Sequence, residues 1–165
     1  MAFLSRSLEL LIALYLISHI FITVLYDSQA VLPKEWFSEG LLKTTEEYIE
    51  KYHDPLMTPP LKPWFESFIL VELFVQFPYF FAGAYAFVAR RNWIRIPSIV
   101  YSVCVLTTML PIIAELLAHD DPAFARNEVL AIYSPFVVFP VLILLKTVGT
   151  ATPFGPDRAR HEKLP

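Results

Sequence analysis

The run Trp64-Phe65-Glu66-Ser67-Phe68-Ile69-Leu70-Val71-Glu72-Leu73-Phe74-Val75-Gln76-Phe77-Pro78, which continues apolar to Ala89, decides the fold. No residue from Leu73 to Ala89 is charged, and the segment from Trp64 is long enough to cross a bilayer as a helix. Deep inside it sits a carboxyl, Glu72, with Gln76 one helical turn further on the same face. An ionised acid at that depth costs on the order of 2.5–3.5 kcal/mol even on lenient insertion scales. It persists where it faces protein, holds a proton or meets a partner, which makes Glu72 a candidate site residue. The plainer alternative is a helix–helix hydrogen bond with no ligand.

The rest of the chain agrees with a membrane setting. Its 165 residues are 56% hydrophobic and 15% aromatic, with a mean hydropathy of +0.51, too apolar for an ordinary soluble domain. That length permits one bundle and little else. A net charge of -3 and the lack of a basic stripe with interleaved aromatics give no reason to expect a nucleic-acid partner. Cys104 is the only cysteine, so an intrachain disulfide and a cysteine-based zinc site are excluded, and no cofactor is expected. Lying in an apolar span, Cys104 reads as an inert thiol. Near the start, Arg6 precedes an apolar run, but Glu9 and His19 interrupt it and no small-x-small cleavage site precedes Asp27. The expectation is a retained first span.

Four apolar segments of about 20 residues emerge, at Leu8–Tyr26, Trp64–Ala89, Ile96–Ala118 and Glu128–Lys146. The fold class expected is therefore all-α: a four-helix transmembrane bundle spanning residues 8–146, followed by a disordered cytosolic tail over 147–165. Arg6, the group Arg90, Arg91 and Arg95, and the group Lys146, Arg158, Arg160 and Lys163 all fall on one side, which the positive-inside rule makes cytosolic for both termini. In the long first connection Leu41, Leu42, Thr45, Tyr48, Ile49 and Tyr52 recur at helical spacing, with charges elsewhere on the wheel. This predicts an amphipathic lumenal helix between spans one and two, either resting on headgroups or covering a cavity. Pro55, Pro59, Pro60 and Pro63 then break the helix, and Pro78, Pro111, Pro135 and Pro140 should kink or unwind the spans they occupy.

This topology draws polar groups from separate parts of the chain to one half of the bilayer. Asp27 ends span one, Asp54 feeds span two, Glu72 lies inside it, Thr107, Thr108 and Glu115 lie toward the end of span three, and Tyr133 lies early in span four. Carboxylates that close share a proton or draw in a cation. Convergent acids in an apolar, aromatic wall suit a hydrophobic molecule bearing an amine or hydroxyl. His19 is read as a hydrogen-bonded packing residue rather than a metal ligand, because no second histidine has ligand spacing. Glu9 and Glu115 are read as snorkelling or pairing near span ends.

At these residues the sequence resembles the sigma-2 receptor family, within the EXPERA-domain membrane proteins that include the emopamil-binding sterol isomerase. The stretches that carry the likeness include Leu14-Tyr15-Leu16-Ile17-Ser18-His19-Ile20, Asp27-Ser28-Gln29-Ala30-Val31-Leu32-Pro33, Asp54-Pro55-Leu56 and Trp64-Phe65-Glu66-Ser67-Phe68. They continue with Glu72-Leu73-Phe74-Val75-Gln76, Trp93-Ile94-Arg95-Ile96-Pro97, Tyr101-Ser102, Thr107-Thr108-Met109-Leu110-Pro111 and Tyr133-Ser134-Pro135. The resemblance implies a homodimeric endoplasmic-reticulum protein with a lumen-side cavity opening toward lipid, binding sterols and cationic amphiphilic molecules. It implies that Asp27 pairs with a ligand's amine, that Glu72 is the buried acid beside it, and that Asp54 helps order the site. Gln76, Tyr101, Thr108 and Tyr133 are the other ligand-binding candidates. Relatives often carry a tyrosine where this chain has Phe136, so one hydroxyl contact is absent. The partners implied are a sterol transporter or the machinery that targets mitochondrial precursors.

Two other readings stand beside the non-enzymatic binder. A sterol double-bond isomerase needs a proton donor and an acceptor on opposite faces of the substrate. The isomerase relatives resemble this chain but use a histidine and a glutamate one turn apart on span two, where this chain has Glu72 and Gln76, and glutamine cannot serve as that acid or base. The last reading is a structural partner in mitochondrial precursor targeting with no small ligand.

Overall fold

Every element of the chain is helical among the residues 2–156 that the computed structural model describes. In order the longer ones are α1 (Ala2–Leu25), α2 (Glu39–Tyr52), α3 (Pro63–Val71), a π-turn (Glu72–Gln76), α4 (Phe77–Ala89), α5 (Arg95–Ala118), α6 (Arg126–Tyr133) and α7 (Pro135–Val148), with short 3-10 turns at Asp27–Ala30, Lys34–Trp36 and Asn92–Ile94. Four stretches are long and apolar enough to cross a membrane: Arg6–Ala30, Pro63–Ala89, Asn92–Ala118 and Arg126–Val148. They contain the four expected spans, adding one residue to the second and four to six to the others.

Local chemistry sets most of the boundaries. Ser38 caps α2 by accepting the Leu41 amide at 3.4 Å, and His53, at φ 49°, closes it in the left-handed conformation with its own amide on the Ile49 carbonyl. Pro63 opens α3, where a missing N–H costs nothing. Pro78 has no N–H to give and its ring crowds the turn before it. The chain answers with the wider turn over Glu72–Gln76, closed by the Phe77 amide on the Glu72 carbonyl. Pro135 likewise divides the fourth span into α6 and α7 at Ser134. Pro111 and Pro140, expected to kink or unwind their spans, lie inside helices α5 and α7, which are not unwound there.

The spans associate as two close pairs, α1 along α4 and α5 along α7, while α1 and α7 touch little. Gly83 allows the first pairing: a Cβ there would lie 2.9 Å from Leu16 Cδ1 and 3.1 Å from the Tyr79 ring. Ile12, Leu16, Phe80 and Phe87 form the fully buried centre of that contact. Separation of the two pairs leaves a gap near the end where α1 stops and α3 starts.

The opposite end is closed by charge. Glu9, 0% exposed, receives Lys146 Nζ at 2.8 Å, Arg90 Nε at 3.1 Å and Arg6 Nη1 at 3.4 Å. Arg6 also donates to the Phe87 and Val88 carbonyls at the end of α4, and Arg95 to the Thr147 carbonyl. Among the basic residues that set the expected orientation, Arg6, Arg90, Arg95 and Lys146 thus gather at one end. The stretch from Thr147, expected as part of a disordered tail, departs from that reading as far as Pro156. Thr147 and Val148 remain helical, and Phe154 is buried edge-on against Phe87 at 5.2 Å. Asn92 brackets it, donating to the Gly155 carbonyl and accepting the Phe154 amide. A large aromatic ring has more to gain from burial there than its flexible neighbours lose. The remainder of that stretch, 157–165, lies outside the described residues.

Candidate functional site

The gap between the helix pairs is a cavity of about 710 Å³. Its walls are mostly apolar and aromatic, drawn from α1 (Leu11, Tyr15), α3 (Phe65, Phe68), α5 (Met109, Ile112) and α7 (Phe136, Phe139). Leu10, Ile17 and Phe21 on the outer side of α1 are exposed, as a lipid-facing surface would be. That combination of volume and lining suits a rigid, largely hydrocarbon molecule.

One stripe of polar residues crosses the wall. On α1 and just past its end, Tyr15, His19, Thr23 and Asp27 follow at four-residue intervals and so stay on one slowly turning face. Across from them the π-turn presents Glu72. Thr23 Oγ1 donates to Glu72 Oε1 at 2.5 Å, and His19 Nε2 lies 3.3 Å from the same oxygen. Asp27 joins them: single donor atoms of His19, Asp27 and Glu72 all lie within 4.8 Å of one another. No lysine or arginine is among the residues lining the cavity, so no fixed cation of the wall answers the two carboxyls. His19 is 5% exposed and wedged among rings, stacked on Phe80 at 4.4 Å and tilted against Phe136 at 4.9 Å. Two buried polar atoms on residues of the wall, His19 Nδ1 and Thr45 Oγ1, have no hydrogen-bond partner in the protein.

Helix α2 supplies part of the wall, with Thr45, Tyr48 and Tyr52 lining the cavity. Asp54 holds it there. This residue is 0% exposed; Oδ2 accepts the Tyr48 hydroxyl at 2.9 Å and the Tyr133 hydroxyl at 3.3 Å, and Oδ1 accepts the Leu56 amide at 2.9 Å. Burial, and then the Asp54 carboxylate beside it, push the Tyr48 hydroxyl well above the ordinary tyrosine value. The Ala125 amide on the Tyr52 carbonyl and the Lys62–Glu115 ion pair tie the same end of the molecule together.

Of the residues singled out from sequence, Asp27, Glu72, Gln76, Thr108 and Tyr133 line the cavity. Asp54 lies behind its wall, where it orients Tyr48 and Tyr133. Tyr101 is also behind: its hydroxyl meets that of Tyr15 at 3.3 Å while its ring stacks on Tyr79 at 4.3 Å. Thr108 donates to the Val105 carbonyl in its own helix, and Gln76 reaches Cys104 Sγ at 3.9 Å. Thr107 points away from the site and is exposed. Glu115 pairs near a span end, as expected, and so does Glu9, but at the far end of the bundle. His19 packs as expected and is also a neighbour of Glu72, and Thr23, which nothing in the composition of its span marks out, bonds the same carboxyl. The four-residue spacing with Asp27 is the signal that would have found both.

Comparison with known proteins adds the following. A family described as EXPERA (EXPanded EBP superfamily) matches residues 40–147. The chain is 39% identical to Sigma intracellular receptor 2 of Xenopus tropicalis over 173 residues, covering 99% of this chain and 98% of that protein. It is 35% identical to Sigma intracellular receptor 2 of Homo sapiens over 153 residues, 85% of this chain and 86% of that one. Efficient mitochondria targeting-associated protein 19 of Saccharomyces cerevisiae is 39% identical over 67 residues, 40% of each chain.

Proposed function

The chain belongs to the EXPERA family and is a multi-pass membrane protein, and from that premise we propose that it binds sterols or related lipids in the cavity lined in part by α2. In this reading the same cavity takes hydrophobic amines, whose cationic nitrogen sits between Asp27 and Glu72. The observation that carries the reading is the approach of these two carboxyls inside a wall without lysine or arginine. Two acids out of water need a shared proton or a cation, and an ammonium on an apolar body supplies the charge and fills the volume. A sterol hydroxyl would meet the same polar stripe or Thr45 Oγ1. Gln76, Thr108 and Tyr133 complete the contact surface, with Asp54 and Tyr101 as supports. We place the protein in the endoplasmic reticulum with both termini cytosolic, as a homodimer that serves sterol trafficking or the targeting of mitochondrial precursors. Its likeness to Sigma intracellular receptor 2 and to Efficient mitochondria targeting-associated protein 19 supports those two roles.

A lipid-extraction mass spectrum of the purified full chain tests the proposal. A sterol or one lipid class enriched over the surrounding membrane is expected, together with saturable binding of a cationic amphiphilic amine. An extract that mirrors the bulk membrane, with no saturable amine binding, would refute it.

One contact favours a second reading, a sterol double-bond isomerase. His19 on α1 and Glu72 on the π-turn place a histidine and a carboxylate together at the cavity wall, the two residue types that Glu72 and Gln76 alone do not supply. Restoration of sterol synthesis in isomerase-deficient cells by this chain, lost in His19→Asn, would support it. Failure of the expressed wild-type chain to restore synthesis would exclude it.

A further inference from the structure

The geometry points to a divalent transition-metal site of the zinc type, made by His19, Asp27 and Glu72 at the polar end of the cavity. It deepens the reading of Asp27 and Glu72 as a cation-binding pair, and it rests on that reading only for the position of the site.

The donor set is one imidazole nitrogen and two carboxylate oxygens from two different helical segments, within 4.8 Å of one another. Around an ion with ligands about 2.0–2.2 Å away, tetrahedral donors stand roughly 3.4 Å apart. His19 and Glu72 already satisfy that spacing at 3.3 Å. The remaining closure falls on Asp27 and Glu72, whose carboxyls turn on flexible stems, while the ring contacts of His19 with Phe80 and Phe136 keep the imidazole in place.

Charge selects a dication. Two ionised carboxylates carry two negative charges, which a divalent ion balances in full, and the lining offers no lysine or arginine to do so. With a monovalent amine the pair keeps one shared proton instead. The donor types match as well, since imidazole nitrogen with carboxylate oxygen suits zinc, cobalt or manganese better than all-oxygen calcium sites. Outside the donors, the Thr23 hydroxyl orients Glu72 by donating to Oε1, the role that an outer hydrogen bond plays around a bound metal. All three donor residues line the cavity, so a fourth ligand would reach the ion from there.

His19 Nδ1 has no protein partner although the residue is 5% exposed, so the imidazole is positioned by its ring contacts and by Glu72. A water would complete the outer hydrogen bond that a ligating histidine makes through its second nitrogen.

The test uses the purified full chain in lipid nanodiscs, with Co2+ as a visible probe and Zn2+ as its competitor. One Co2+ per chain is expected, with the visible absorption of a four- or five-coordinate ion, displaced by Zn2+ and by a cationic amphiphilic amine. His19→Asn, Asp27→Asn and Glu72→Gln should each reduce uptake at least tenfold. Elution as a single species and the metal-free melting midpoint report whether each variant folds; Asp27→Asn, isosteric and just past the end of α1, carries the test if His19→Asn does not fold. A wild-type chain with no stoichiometric Co2+, or a folded variant with wild-type uptake, overturns the inference. Amine binding is measured in parallel. If it persists without metal uptake, only the metal site fails; if metal binds and no amine does, the site stands and the amine part of the proposed function fails.

Discussion

His19 on α1 lies 3.3 Å from Glu72 on the π-turn, Nε2 to Oε1, with the Thr23 hydroxyl on the same oxygen. A carboxyl that would be costly in lipid is thereby held by two side chains of another helix, and its free face is left toward the cavity. The wider turn that Pro78 brings about is what presents Glu72 there.

Neutralising the acids without changing their shape isolates their charge. Asp27→Asn and Glu72→Gln should each weaken a cationic amphiphilic amine at least tenfold, about 1.4 kcal/mol, in a saturation assay. Binding of an uncharged sterol should fall less, because its hydroxyl can still pair with an amide. Unchanged amine affinity in both variants would remove the pair from the site.

Asp54 should act on the shape of the cavity rather than on its charge. Asp54→Asn weakens its bonds to the Tyr48 and Tyr133 hydroxyls, at a cost of about 1–3 kcal/mol for a disturbed buried network. A lower melting midpoint, with faster amide exchange in α2 than in α5, is the expected result. Equal exchange in the two helices would show that α2 is held by something else.

The raised Tyr48 hydroxyl gives a pH signature. A group whose folded value exceeds its unfolded value of 10.0 adds stability that is constant below that pH and is lost as pH rises above it. Melting should therefore be insensitive to Tyr48 at neutral pH and fall above about pH 10. Tyr48→Phe should make that alkaline fall shallower; an identical slope would contradict the assignment.

Gly83 separates steric from conformational effects. In Gly83→Ala the gain in helix propensity, about 1 kcal/mol, opposes the close approach to Leu16 and Tyr79, so little net change is expected. Gly83→Leu has no room and should cost about 1–3 kcal/mol by overpacking. Detergent melting midpoints measure both, and a Gly83→Leu chain as stable as wild type would mean that α1 and α4 do not pack as described.

At the other end, Glu9→Gln leaves Arg6, Arg90 and Lys146 facing one another across a neutral amide. Arg6 and Arg90 are partly exposed and can turn to water, so the loss should be about 1–3 kcal/mol rather than that of a fully buried pair. Amine binding should be unaffected, since Glu9 and Asp27 lie roughly 27 Å apart at ~1.5 Å per residue along α1. A parallel loss of binding would show that the two ends are coupled.

Much of this molecule is written in its residues taken in order. Apolar runs of bilayer length, interrupted by Asp27, Glu72 and Tyr133, determine four spans and name most of the cavity wall, because span length and the cost of a buried charge are local properties. The helical spacing of Leu41 to Tyr52 likewise determines α2. Which buried groups meet was decided only by tertiary structure. Asp54 and Tyr101 are as polar and as buried as their neighbours, yet they stand behind the wall, because the pairing of α1 with α4 and α5 with α7 sets the faces that look inward. Glu9 shows the same limit: a carboxyl among apolar residues reads alike at either end of a helix, and only the packing of Arg6, Arg90 and Lys146 around it separates a structural ion cluster from a binding site.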